Sequence, residues 1–238
     1  MKSITDIFVT WLFLIFFFLP GTSLAQDAQE KSPLHVGKTG NFHGEEILLG
    51  NGDSVLVFGQ ENGTYFLKKN IVNVEIVVDE IIDVPGEKTG KIVSLKNTDE
   101  NFKAEFILYG DILSSGPIAT ANIAQDCLKE ENKDALCNVR FGDISLPVKI
   151  TDYQVADLDI PEKNFVADIL LKHDNKETSI KHVNKIIWAG DLDRDGLLDL
   201  IVDDTAKYNT QSVKIYLSAQ SQGNQLMGLA GQFFITGC

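Results

Sequence analysis

The sequence predicts a mainly β protein, and three observations support that prediction. Short apolar runs are separated by turn signals such as Asn51-Gly52 and Asn62-Gly63. Asn-Gly between apolar runs is a strong hairpin signal, because both turn residues need positive φ. From Val72 to Val78 apolar residues alternate with mostly polar ones, which is the period of a half-buried strand. Apolar residues at helical spacing are not sustained over a useful length.

The predicted strands follow one another along the chain. They cover 47–49, 54–58, 64–67, 72–78, 91–96, 103–109 and 144–150. Pro147 makes the last of these an edge strand, because proline cannot donate to a β-ladder. Between Ala121 and Cys137 a Glu/Lys-rich segment is either a short helix or a long loop. We place a boundary near Ile150, which gives an N-terminal antiparallel β domain at 41–150 and a C-terminal β module at 151–238.

The first 25 residues are typical of a signal peptide. Lys2 precedes an apolar run of 13 residues, Ile7–Leu19, which is shorter than the roughly 18 or more needed to span a membrane. Ser23-Leu24-Ala25 predicts cleavage after Ala25. The mature protein is then secreted or periplasmic, without a stable membrane span; a retained N-terminal anchor is the alternative. Residues 26–40, polar and containing Pro33, are predicted to be a flexible leader.

The charge balance argues against a nucleic-acid partner. The 238 residues include 21 Lys+Arg and 34 Asp+Glu, a formal net charge of −13. Nucleic-acid binding requires clustered basic residues, so we expect no nucleic-acid partner. The excess carboxylates act as solubilising groups or as ligands for a hard cation.

Three cysteines, Cys127, Cys137 and Cys238, follow the predicted cleavage site. Pairing Cys127 with Cys137 closes a short polar loop, and the chain-entropy argument assigns such a bond about 2.5–3 kcal/mol. Cys238 would then be free or would link covalently to a partner. Pairing of Cys238 with either upstream cysteine is the alternative.

The acidic residues concentrate in one segment, Asp191-x-Asp193-x-Asp195-Gly196-x-x-Asp199. Calcium takes six to eight oxygen ligands, and alternating carboxylates in a tight loop supply them. Gly196 permits the reversal that turns the next carbonyl toward the ion. The predicted ligands are the side chains of Asp191, Asp193, Asp195 and Asp199 and the carbonyl of Leu197.

Two other interpretations of this segment are weaker. A solvated acidic turn does not require the regular alternation or the glycine at the sixth position. An EF-hand requires Glu at the twelfth position, where this chain has Val202, and the flanking residues read as strands and not helices.

The segment Gly190-Asp-Leu-Asp-Arg-Asp-Gly-Leu-Leu-Asp-Leu-Ile-Val202 resembles the calcium loops of FG-GAP and VCBS-type repeats. Those repeats form four-stranded blades of β-propellers, including integrin heads and many exported bacterial proteins. The corresponding blade strands here would be Lys185–Trp188, Asp199–Val202, Ser212–Leu217 and Gly231–Ile235. The chain lacks the Phe-Gly…Gly-Ala-Pro element and has only one clear copy. The resemblance therefore implies one or two propeller-type blades.

A faint second copy begins at Asp157, which precedes Asp191 by 34 residues (191 − 157 = 34). Asp157, Asp159 and Asp168 parallel Asp191, Asp193 and Asp199, but the third aspartate and the glycine are missing. We interpret this segment as a decayed or coincidental repeat that binds no metal.

Together these patterns predict an exported, non-enzymatic, calcium-binding β protein. The resemblance implies recognition or adhesion at a cell surface or in the envelope, with an unknown protein or glycan as ligand. The alternative is an exported hydrolase that uses calcium only for stability. The sequence has neither a Gly-x-Ser-x-Gly elbow nor a His-Glu-x-x-His pair.

Overall fold

A computed structural model describes residues 32–97, 99–123, 128, 137–155, 165–205, 207 and 209–236. Within them the chain forms seventeen strands, paired into three antiparallel sheets, and one short 3-10 helix. The prediction of a mainly β protein is confirmed. Several sequence predictions fall on residues outside the described ranges, namely the signal peptide at 1–25, residues 26–31 of the leader, most of the helix or loop between Ala121 and Cys137, Cys127, Cys238, Asp157 and Asp159.

The first sheet has the strand order β1-β6-β3-β4-β5-β2, with β7 beside β4. Its strands are β1 (His35–Gly37), β2 (Gly40–Phe42), β3 (Ser54–Glu61), β4 (Thr64–Val77), β5 (Gly90–Leu95), β6 (Phe102–Tyr109) and β7 (Gly116–Pro117). Although β1 and β2 end opposite edges of this order, only Lys38 and Thr39 separate them. Gly37 and Gly40 can lie at most about 11 Å apart across that link. The sheet must therefore curl like part of a barrel.

The predicted flexible leader is wrong from Leu34 onward. Leu34 is 1% exposed and its N–H donates to the Ala230 carbonyl at 3.0 Å, while β1 pairs with β6. Pro33 and the glycines suggested a linker. However, Leu34 and Val36 alternate as core residues, and burial of their side chains offsets the cost of ordering the chain.

The second and third sheets are each a run of four consecutive antiparallel strands with one short strand at an edge. The second sheet contains β9 (Asn122–Ile123), β10 (Cys137–Phe141), β11 (Ile144–Val155), β12 (Phe165–His173) and β13 (Lys176–Val183). The third contains β8 (Ala119–Thr120), β14 (Lys185–Asp191), β15 (Asp199–Asp203), β16 (Thr210–Leu217) and β17 (Gly228–Thr236). The four strands predicted around the acidic loop are thus present as β14 to β17.

The predicted division at residue 150 does not match the structure. Ile150 lies inside β11, and Ser32–Cys238 form one compact unit. One hydrophobic core joins residues of the first sheet to Trp188 and Leu192 of the third-sheet region. A second core joins residues of the second and third sheets, including Ile169 and Leu200. Local strand patterns could not reveal that the third sheet packs in both cores.

Pro147 belongs to a strand with neighbours on both sides, contrary to the predicted edge position. At Pro147 itself, β11 pairs with Asn138 of β10, whereas its described pairing with β12 starts one residue later, at Val148. The proline therefore occupies the part of β11 that is paired on one side.

The loop between β4 and β5 is fixed by an ion pair. His43 Nδ1 lies 2.5 Å from Asp79 Oδ2, and the Asp79 side chain is almost fully buried. The hydrogen bond to Asp79 raises the pKa of His43 above its ordinary 6.5. Burial alone would raise the pKa of Asp79, but the hydrogen bonds from His43 and backbone N–H groups hold it below 3.8.

Among the described residues, no helix has the length and apolar character needed to cross a membrane.

The stability contributed by His43 should depend on pH. Since the His43 pKa is raised on folding, its contribution is complete below 6.5 and is lost as pH rises through the folded value. The Asp79 pKa is lowered, so its contribution is lost as pH falls below 3.8. Urea unfolding should therefore show a larger loss for His43→Asn at about pH 5.5 than at about pH 9. An equal loss at both pH values would contradict this assignment. His173→Asn, in the β12–β13 turn region, is the control.

Candidate metal centre

The acidic loop connects β14 to β15, and the fold anchors it at both ends. Gly190 and Asp199 are register partners in adjacent strands. Leu192, inside the loop, is 0% exposed and packs in the first core, and Leu198 packs in the second. The apolar residues between the aspartates therefore hold the loop against the protein while the carboxylates converge.

Three carboxylates meet in this loop. Asp191, Asp193 and Asp195 each offer one oxygen, and these oxygens lie within 4.8 Å of one another. Burial raises the pKa of Asp193, and the nearby Asp195 and Asp191 charges raise it further. Asp191 Oδ1 is buried and has no hydrogen-bond partner. A buried carboxylate oxygen without a donor is costly, and a cation in the cluster would satisfy it.

The backbone of the loop is bent as the pattern predicts. Gly196 has φ +83°, a conformation that favours glycine, and Arg194 has φ +67°. The Gly196 N–H donates to Asp191 Oδ2 at 3.1 Å, and the Leu197 N–H donates to Asp195 Oδ1 at 2.7 Å. The aspartates thus accept bonds from the loop that carries them. The proposed ligand role of the Leu197 carbonyl stays a prediction.

Asp199 is the fourth side chain that the sequence predicts as a ligand. It is 0% exposed and is not part of the three-carboxylate cluster. Oδ2 accepts the Leu192 N–H at 2.6 Å, and Oδ1 accepts the Ser218 N–H at 2.8 Å. Burial raises its pKa to about 7, although these N–H groups oppose the shift. Both oxygens of Asp199 accept backbone N–H groups, and its predicted role as a calcium ligand stays a prediction.

Ser218 is a site residue that sequence reasoning missed. It begins the 3-10 helix Ser218–Gln220, directly after β16. Its Oγ donates to Asp195 Oδ2 at 2.6 Å, while its N–H donates to Asp199. No local motif marks this serine. Only strand register could have found it, because β15 and β16 are adjacent and Leu200 pairs with Tyr216.

Arg194 is the basic residue within the acidic loop. Its Nη1 donates to Ser114 Oγ at 3.2 Å and to the Ser115 carbonyl at 3.0 Å. These bonds tie the loop to the segment that precedes β7, so Arg194 has a positioning role that its sequence neighbours do not indicate.

In the faint second copy, the structure describes one of the three aspartates, Asp168, and this residue is paired with a lysine. Asp168 Oδ2 lies 2.5 Å from Lys181 Nζ, and Oδ1 accepts the His182 N–H at 2.9 Å. Burial would raise the pKa of Asp168, but Lys181 and His182 hold it below its ordinary range. Here a lysine supplies the positive charge.

Cys137 lies in β10 and is disulfide-bonded. Since Cys127 and Cys238 both lie outside the described residues, its pairing with Cys127 stays a prediction.

Compared with models of protein families, with curated protein sequences and with solved structures, the chain matches none.

Gly190 should tolerate no side chain. A Cβ there would lie 2.1 Å from the Ala119 carbonyl oxygen and 2.5 Å from Trp188 Cζ2. Gly190→Ala should lower the free energy of unfolding by about 1–3 kcal/mol, because the strand pair or Trp188 must shift. Gly50→Ala is the matched control, since its Cβ would be in ordinary contact, 3.5 Å from Asp53 Oδ2. Equal effects of the two substitutions in denaturant unfolding would contradict the close approach.

Ser218→Ala should weaken the loop without disturbing the backbone bond to Asp199. The loss of the hydroxyl bond to the Asp195 carboxylate should cost about 1 kcal/mol in denaturant unfolding. Ser221→Ala is the control, because the described bond of Ser221 comes from its backbone N–H to the Ser218 carbonyl. A Ser218→Ala protein as stable as the control variant would show that the hydroxyl bond does not hold Asp195.

Proposed function

We propose that this chain is an exported, non-enzymatic β protein whose loop 191–199 holds a structural calcium ion. The observation that carries the proposal is the convergence of one oxygen each from Asp191, Asp193 and Asp195 to within 4.8 Å of one another. In addition, Asp191 has a buried oxygen, Oδ1, without a hydrogen-bond partner. Three carboxylates so close would repel one another unless a cation compensates them.

The donor set favours calcium over other cations. All three donors are carboxylate oxygens, which hard cations prefer, whereas zinc favours nitrogen and sulfur. Magnesium keeps several waters and is bound through one or two carboxylates, whereas calcium sites use alternating aspartates with a glycine at the sixth position.

A bound calcium would act on several elements at once. The loop joins β14 to β15, Ser218 links it to the end of β16, and Arg194 links it to the segment before β7. Neutralising the cluster would remove the repulsion that opposes this arrangement, so ion binding would stabilise the folded protein.

The wider role rests on the resemblance to FG-GAP and VCBS-type repeats. The consecutive antiparallel strands β14 to β17, with the acidic loop between the first two, agree with the strand arrangement of one such blade. By that analogy the protein recognises a protein or glycan at a cell surface or in the envelope. If Cys137 pairs with Cys127, Cys238 would be free to link covalently to a partner.

Calcium should raise the melting temperature, and chelator should reverse the effect. At free calcium about 100 times Kd the stabilisation is about 2.7 kcal/mol, or about 5–10 °C for a chain of this size. Asp195→Ala should abolish most of the difference, because it removes one of the three converging carboxylates.

The control is Asp143→Ala, an exposed aspartate in the β10–β11 turn, which makes the same change in charge. It should retain the full calcium response. Equal melting temperatures with calcium and with chelator would contradict the proposal. So would a magnesium response equal to the calcium response.

A further inference from the structure

An exposed apolar surface lies at the end of β4 and in the loop that follows it. Ile76, Val78, Ile81, Ile82 and Val84 are between 51% and 61% exposed. We call these five residues the β4–β5 patch. Isolated exposed apolar residues are ordinary, but five large aliphatic side chains within nine residues form the kind of concentration that marks a binding surface.

The patch continues an apolar stripe that begins in the core. Val72, Val74 and Ile76 lie on one face of β4, because side chains alternate along a strand. Val72 is 0% exposed and Val74 is half-buried, but Ile76 is 51% exposed. The core-side face of the strand therefore extends beyond the residues that cover it.

Hydrogen bonds hold the exposed residues in place. Asp79 accepts the Ile81 N–H, and its own N–H donates to Asp83 Oδ2 at 2.7 Å. Asp83 also accepts the Thr89 N–H and hydroxyl at 2.9 and 2.6 Å. Together with the His43–Asp79 ion pair, these bonds build a defined loop. The patch is thus presented on an ordered support, which reduces the entropy lost on binding.

The neighbouring segment adds apolar surface to the same region. A Cβ on Gly44 would lie 4.0 Å from Ile82 Cδ1, so the 43–50 segment runs beside the patch. Lys91, the register partner of Ile76, donates from Nζ to the Ile47 carbonyl at 3.0 Å. Leu48, which follows, is 77% exposed.

The charges around the patch are mainly negative. Residues 75–89 contain five acidic residues and one lysine, so 1 − 5 = −4. Asp79 and Asp83 are committed to internal bonds, which leaves exposed carboxylates at Glu75, Glu80 and Glu87. This charge repels a second copy of the same patch and an anionic lipid surface, and it attracts lysine or arginine.

We propose that the β4–β5 patch is a docking surface for an apolar protein segment flanked by lysine or arginine. Aliphatic contacts supply the binding energy and the acidic border selects the charge of the partner. This inference rests on the proposed recognition role but not on calcium, because the patch shares no residue with the loop 191–199.

The test uses two synthetic peptides that have the same aliphatic segment, one flanked by lysines and the other by glutamates. Binding to the purified protein is measured by fluorescence anisotropy at low and high salt, with calcium and with chelator. The lysine peptide should bind at least about tenfold tighter than the glutamate peptide at low salt, and the difference should shrink at high salt. Chelator should change neither result.

Two variants separate the apolar and the charged contributions. Ile81→Gln with Val84→Gln should weaken lysine-peptide binding at least about tenfold, while Leu229→Gln, which changes an exposed leucine in β17, should have no effect. Glu80→Lys with Glu87→Lys changes the net charge of residues 75–89 from −4 to 0, so it should abolish the preference for the lysine peptide. Circular dichroism of each variant verifies that the fold is intact.

Four results would overturn the proposal: no binding of either peptide, equal binding of both, binding to phosphatidylserine vesicles in place of the peptide, or patch-dependent dimers in sedimentation. Failure of the peptide tests alongside a normal calcium response would reject the docking surface and leave the calcium proposal standing. Positive peptide tests without a calcium response would reject the calcium proposal and leave the docking surface standing.

Discussion

The acidic loop depends on one buried carboxylate. Asp199 is 0% exposed, and burial without compensation would make its charge very costly. The Leu192 and Ser218 N–H groups offset part of this cost, one from inside the loop and one from the end of β16. Ser218 also donates from Oγ to Asp195, so the residue that binds the buried Asp199 carboxylate also holds the exposed Asp195 carboxylate. The carboxylate cluster is therefore a consequence of strand packing as well as of local sequence.

Aromatic packing fixes β14, the strand from which the acidic loop begins. Trp188 lies on β14 shortly before the loop and packs edge-on against Phe58 at 5.5 Å between ring centroids and against Tyr65 at 6.2 Å. Its Nε1 donates to Thr120 Oγ1, so its one polar atom is satisfied although the side chain is buried. Gly190 then lets β8 approach β14 closely. The loop thus begins from a strand that is fixed on both sides before the first aspartate.

Local features were predictable where residues adjacent in sequence determine the backbone conformation. Asn62 and Gly63 have φ +49° and +82°, as the Asn-Gly hairpin signal requires, and Gly196 has the expected positive φ. At the other Asn-Gly pair only Gly52 has positive φ, and Asn51 Oδ1 accepts the Val74 N–H instead. There a contact between distant residues replaces the local preference.

Features that depend on distant contacts were not predictable. The leader became a strand because β6 and β17 offer partners to residues 34–37, and the division at residue 150 failed because two cores share the third sheet. Asp199 matched the spacing of a ligand, yet its oxygens are held by backbone that strand pairing brings near. Sequence spacing identifies which oxygens are available, but packing decides which of them face a common point.

The same distinction explains why two acidic segments have different proposed roles. In residues 75–89 the buried Asp79 is paired with His43, the half-buried Asp83 accepts loop N–H groups, and the remaining carboxylates are exposed around aliphatic side chains. In residues 191–199 three carboxylates converge, and Asp191 keeps a buried oxygen without a donor. Carboxylates dispersed over a surface attract a basic partner through their long-range field, whereas carboxylates that converge within a few ångströms need a counter-ion between them. Acidic composition alone therefore distinguishes neither proposed role, whereas the arrangement of the carboxylates does.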